Sequence, residues 1–83
     1  MEQIARTPKQ IGDAIHRQRR KLGMSQTTLG NLTQLRQATI SAVEHGEPGT
    51  QILTLCNVMA ALNLEFVIRT RTKATPDEIE AIF

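Results

Sequence analysis

Arg36, Gln37, Ala38, Thr39 and Ser41 are side chains of the kinds that read the edge of a base pair. Arginine and glutamine make paired hydrogen bonds to guanine and adenine respectively, while small residues allow close approach and touch the thymine methyl. Base reading of this kind needs phosphate contacts beside it to set register. Gln26 and Thr27 open a second short segment whose free N–H groups favour a phosphate. Arg17, Arg20 and Lys21, with Lys9 and His16, lie together on one side of an earlier segment of helical period and could meet the same backbone. Any one of these taken singly also fits a solvated helix surface.

These side chains must be held by something, and the apolar spacing says what. Leu29 and Leu32 are three residues apart, Leu35 follows, and Ile40 and Val43 repeat the interval. Thr33-Gln34-Leu35-Arg36 between them is too short and polar for more than a tight turn. Two short helices joined by a turn bury one seam and leave the outer face of the second free. That is a helix-turn-helix with residues 36–41 directed into the DNA major groove.

The stretch resembles the helix-turn-helix of the phage repressor/Cro (XRE) family at Gln26, Leu29, Leu35, Thr39-Ile40-Ser41, Val43, Glu44 and Gly46. Within that family it is similar to HipB-like antitoxins, through Gln37-Ala38-Thr39-Ile40-Ser41 followed by Glu44. The turn is where this chain departs: the family usually has Ala where Gly30 sits and Gly where Gln34 sits. The resemblance implies a lambda-repressor-like four-helix domain, mostly α, with one C-terminal β-strand that pairs across a dimer. It implies base contacts from the positions of Arg36, Gln37, Ala38 and Ser41, with Arg36 suited to a base or to a phosphate alone. It implies that Gln26 touches phosphate and braces Gln37, and that Arg19 forms a partly buried ion pair with Glu44. It also implies an antitoxin that binds a HipA-like serine/threonine kinase toxin, neutralises it, and represses its own operon with toxin as co-repressor. A stand-alone regulator without a toxin, and a protein-interaction module that has lost DNA binding, are the other readings.

Composition agrees with a small α-rich domain. With two Phe and neither Trp nor Tyr in 83 residues, the core must come from Leu, Ile, Val, Ala and Met, and a core of that size is only marginally stabilising alone. The net charge of +2 is unevenly spread: seven basic residues and two acids lie in residues 1–40, three basic residues and six acids in residues 41–83. A basic half suits a polyanion and an acidic half suits a protein partner.

Catalysis and metal binding find no support. His16 and His45 are isolated, His16 reading as helix surface and His45 as a turn residue, and no phosphate loop, paired catalytic carboxylates or nucleophile motif occurs. The expectation is no enzyme, no metal and no cofactor. One cysteine, Cys56, precludes an internal disulfide, and its apolar neighbours predict a buried small side chain. No apolar run reaches membrane-spanning length and no signal peptide is visible, so the expected location is cytoplasmic, at the nucleoid when DNA-bound.

Along the chain, residues 1–6 read as a flexible arm, 7–63 as the DNA-binding domain, 64–72 as a dimerisation strand and 73–83 as a tail. Thr7-Pro8 starts a helix whose apolar side is Ile11, Ala14, Ile15 and Leu22, and Gly23 stops it. Ser25 caps the second helix. After the turn-rich His45–Gly49, Thr50 is set to cap a last helix with a stripe of Ile52, Leu55, Cys56, Met59 and Leu62. Glu65, Phe66, Val67, Ile68 and Arg69 then alternate as in a strand. No second strand in the chain could pair with it, which points to its copy in a second subunit and, through the two-fold axis, to a palindromic operator. Thr75 and Glu78 have capping-box spacing. Ile79, Ile82 and Phe83 follow on one face, either as a frayed end or as a segment that orders on a partner protein.

Overall fold

The computed structural model describes residues 2–71. They contain four helices: α1 (Pro8–Lys21), α2 (Gln26–Thr33), α3 (Gln37–Glu44) and α4 (Ile52–Ala61). The starts of α1 and α2 are written in their caps. Thr7 Oγ1 accepts from the Gln10 N–H at 3.1 Å with Pro8 in the first turn, and Ser25 Oγ accepts from the Thr28 N–H at 3.0 Å. α3 and α4 begin at Arg36 and Gln51 without a side-chain cap. Thr50, expected to cap α4, instead donates to the Glu47 carbonyl at 2.9 Å, which closes the preceding turn.

The core is Ile15 from α1, Leu29 from α2, Ile40 and Val43 from α3, and Val58, Met59 and Leu62 from the α4 region, with Ile11, Met24, Leu35, Leu55, Ala61 and Leu64 packed around them. Each fully buried aliphatic side chain is worth about 1.5–3 kcal/mol. α3 lies between α1 and α2, and α4 closes over α2. The α1–α3 crossing depends on Gly12: a Cβ there would stand 2.5 Å from the Val43 carbonyl oxygen and 2.6 Å from that of Glu44.

Several expected core positions are outside. Leu32 is 58% exposed, because α2 turns a narrower face inward than its apolar residues cover, and Leu22, 45% exposed, lies just past the end of α1. In α4, Ile52 is 72% exposed, Leu53 68%, and Cys56 lies on the same exposed face, so the buried stripe is Leu55, Val58, Met59 and Leu62. α4 is apolar nearly all round, so its periodicity permits more than one inward face, and packing against α2 selects one. Cys56 is therefore a surface thiol.

Beyond α4, Asn63 takes a left-handed conformation (φ 58°), and the Leu64 N–H donates to the Met59 carbonyl at 2.8 Å. Gln18 Nε2 on α1 donates to the Leu62 carbonyl at 3.0 Å, tying the two ends of the core together. No strand forms among the described residues 64–71. A strand needs a ladder partner, and the described residues of one copy supply none. Phe66, Val67 and Ile68 stand exposed there, Ile68 completely, and Arg69 pairs with Glu2 at 2.7 Å. Thr75, Glu78, Ile79, Ile82 and Phe83 lie outside the described residues.

Candidate nucleic-acid interface

The geometry starts from the turn. Gln34 occupies the left-handed region (φ 59°, ψ 32°), and its N–H and that of Leu35 return to the carbonyls of Asn31 and Gly30. The chain can then enter α3 at once, with Ile40 and Val43 inward and Gln37 and Ala38 exposed on the other side. Ser41, one turn further on, is half-buried, and His45 follows on the same stripe, its Nδ1 2.7 Å from the Ser41 carbonyl oxygen. Thr39 is half-buried and lines a shallow groove with Arg36, Ala38 and Thr50. Arg36 precedes the helix and is exposed.

A hydrogen-bonded chain runs from the exposed face into the protein. Gln37 Nε2 donates to Gln26 Oε1 at 2.9 Å, and Gln26 Nε2 donates to Glu44 Oε1 at 3.4 Å. Glu44 is 5% exposed and Arg19 6%. The guanidinium grips the carboxylate through Nε–Oε2 at 2.7 Å and Nη2–Oε1 at 3.0 Å, and Nη1 donates to the Met24 carbonyl at 2.8 Å. Burial pushes the Glu44 carboxyl up, but hydrogen bonds from Arg19, His16 and Gln26 and the Arg19 charge outweigh it and hold the group below its usual value. The hydrogen bond to Glu44 raises the Arg19 guanidinium further, against its burial.

The chain has a direction. An ionised carboxylate only accepts, so Gln26 must turn its NH2 toward Glu44 and its carbonyl toward Gln37. Gln37 is left with its own carbonyl and one N–H, an acceptor beside a donor, which matches the N6–N7 edge of adenine.

Around this chain lies a polar cleft lined by Arg19, Arg20, Gly23, Met24, Ser25, Gln26, Thr27 and Gln37. Of the basic residues singled out on α1, Arg20 borders this cleft; Arg17 and Lys21 are exposed on the same helix but do not line it. Lys9 pairs with Asp13 at 2.7 Å. His16, read from sequence as plain helix surface, is 49% exposed at its side chain, yet its Nδ1 is 2.7 Å from Glu44 Oε1. The available signal was its place one turn before Arg19, on the same side of α1. Among the described residues no group of His, Cys, Asp and Glu is arranged to hold a metal ion, and no helix is long and apolar enough to cross a membrane.

The family model described as Helix-turn-helix (HTH_3) matches residues 15–68. Antitoxin HipB of Escherichia coli (strain K12) is 27% identical over 74 residues, covering 89% of this chain and 84% of that relative. Among solved structures, the "HipB-O4 20mer complex" superposes with a TM-score of 0.80 at 25% identity, over 86% of this chain and 100% of the other. The "Structure of HipA-HipB-O2-O3 complex" does so with a TM-score of 0.79 at 25% identity, again over 86% and 100%. The buried α1–α3 ion pair, the short turn and the free polar face of α3 are thus set in a fold shared with these structures, and the chain belongs to the helix-turn-helix family of the phage repressor/Cro (XRE) type.

Proposed function

We propose that this chain is an antitoxin that acts as a homodimer on a palindromic double-stranded operator, represses its own operon and neutralises a HipA-like serine/threonine kinase toxin. The observation that carries the DNA part is the Gln37–Gln26–Glu44 chain, which holds one polar side chain of the exposed α3 face in a single hydrogen-bonding polarity. Arg36, Gln37, Ala38, Thr39 and Ser41 read bases, with Gln37 on adenine. Gln26, Thr27, Arg17, Arg20 and Lys21 take phosphates.

The homodimer reading is supported by apolar surface exposed among the described residues: Ile52, Leu53 and Cys56 on α4, and Phe66, Val67 and Ile68 beyond it. Residues 65–69 pair with their copies as strands, and the two recognition helices come about one DNA turn apart, roughly 34 Å. The toxin reading is supported by the likeness to antitoxin HipB and to the HipA–HipB complex. The tail at Ile79, Ile82 and Phe83 is its proposed contact. No catalytic role is assigned, and the protein works in the cytoplasm, on the nucleoid when bound.

The test is purification of the tagged protein from its own cells, with mass spectrometry of what accompanies it and titration of DNA from upstream of its gene. A stoichiometric kinase-fold partner, together with affinity that falls about 10³–10⁵-fold between 50 and 200 mM salt, is the expected result. DNA binding without any kinase would leave a stand-alone regulator of the same family, a reading that the general helix-turn-helix match also accommodates. Salt-insensitive binding would overturn the DNA part.

A further inference from the structure

Three donors converge on one oxygen of Glu44. Oε2 is taken by Arg19 Nε, whereas Oε1 is shared by Arg19 Nη2 at 3.0 Å, Gln26 Nε2 at 3.4 Å and His16 Nδ1 at 2.7 Å. The His16 contact is the shortest and the Gln26 contact the longest. Nδ1 must carry the proton, since the carboxylate can only accept. The 3.2 Å approach of Arg19 Nη2 to the same nitrogen is then two donors side by side on one acceptor, not a bond between them. Arg19 has an independent anchor at the Met24 carbonyl, so the guanidinium stays in place whatever His16 does. Oε1 is held from the side where Arg19 Nη2 and His16 Nδ1 stand together, His16 making the shorter contact, and Gln26 hangs from it by the weakest link.

We propose that His16 is a positioning residue for sequence specificity: by holding Glu44 Oε1 it sets the Gln26 amide and through it the base-reading end of Gln37. This rests on the DNA reading above. His16 itself touches no base. Without the imidazole, Oε1 is drawn to Arg19, the Gln26 contact lengthens beyond hydrogen-bond range, and both glutamine amides become free to flip. Gln37 then offers donor–acceptor and acceptor–donor order alike, and discrimination is lost while phosphate contacts persist.

The experiment compares His16→Ala and His16→Asn with the parent chain. Asn carries a donor on the same Cγ as His and reaches the same oxygen. In the DNA-free protein, the side-chain amide NMR signals of Gln26 and Gln37 should shift in His16→Ala and return in His16→Asn. On DNA, His16→Ala should lose roughly fivefold of the preference for the matched over the mismatched base pair at the Gln37 position, with unchanged affinity for unrelated sequence, and His16→Asn should restore it. Unmoved amide signals, an equal loss on matched, mismatched and unrelated DNA, or full discrimination in His16→Ala would each overturn the proposal. A parent chain that discriminates no base would sink the DNA reading instead, and the amide signals would then decide the positioning role by themselves.

Discussion

Arg19→Met removes the charge that answers a nearly sealed carboxylate. Glu44 keeps the donors from His16 and Gln26 but loses both guanidinium bonds, at 2.7 and 3.0 Å. Breaking a buried pair by deleting one partner costs about 3–5 kcal/mol, because the remaining charge stays desolvated. A chain of 83 residues has a total stability of roughly 4–12 kcal/mol, so the variant should sit near the edge of folding. In urea, with a slope of about 1–3 kcal/mol per molar, the midpoint should fall by about 2 M when followed by circular dichroism at a fixed protomer concentration. The fixed concentration matters because association adds to apparent stability. The double variant Arg19→Met/Glu44→Leu should recover most of the loss, since an apolar pair of similar volume has no charge to strand.

The same pair sets a pH dependence. Folding holds the Glu44 carboxyl below its ordinary value of 4.5. The unfolded chain therefore binds the proton more readily, and the stability contributed by Glu44 is complete above about 4.5 and lost as pH falls through the lower folded value. In Arg19→Met the strongest lowering partner is gone while the burial remains, so the group should move up from its value in the parent chain. Its penalty should be largest at neutral pH and should shrink on acidification, as protonation discharges the buried carboxylate. A single-variant cost under about 1 kcal/mol, or a penalty that grows toward acid, would refute the reasoning.

Gln37→Ala should cost about 1–3 kcal/mol on the matched operator and relax preference at one base position; an unchanged binding-site selection profile would exclude the contact. Arg36→Ser gives α3 the side-chain cap it lacks and should stabilise the fold by about 1 kcal/mol, while weakening operator binding; a lower melting temperature would contradict it. Gly30→Ala sets helix propensity against space, because a Cβ there would stand 2.7 Å from the Leu35 carbonyl oxygen. It should destabilise by about 1–3 kcal/mol, and Gln34→Gly should stabilise by roughly 1 kcal/mol by relieving the left-handed residue; opposite signs in thermal unfolding would show that the turn yields more easily than its contacts indicate.

Local chemistry was legible without coordinates. Thr7 and Ser25 are caps whose side chains bond within three residues, and the tight turn at residues 33–36 follows from the lack of room between two helices, although the left-handed conformation of Gln34 within it is seen only in the structure. Leu29, Ile40 and Val43 are buried because no other face of their short helices is apolar enough to compete. The types of residue along 36–41 identify the candidate reading surface for the same reason: the chemistry belongs to the side chains themselves.

What escaped the linear reading has one physical origin. Where a helix is apolar on several sides, periodicity permits more than one inward face, and the choice belongs to the neighbour that packs on it. α4 shows this with Cys56 and Ile52 outside and Val58 inside, and Leu32 shows it at the edge of α2. The residues after Leu64 have the alternation of a strand, and the described residues of one copy hold no ladder for it, so the pairing expected across a dimer depends on a second copy. For His16 the sequence offered only its place one turn before Arg19. Only the crossing of α1 on α3, made close by Gly12, brings its ring to Glu44, and it is this contact, 28 residues apart in sequence, that turns a surface histidine into part of the arrangement behind Gln37.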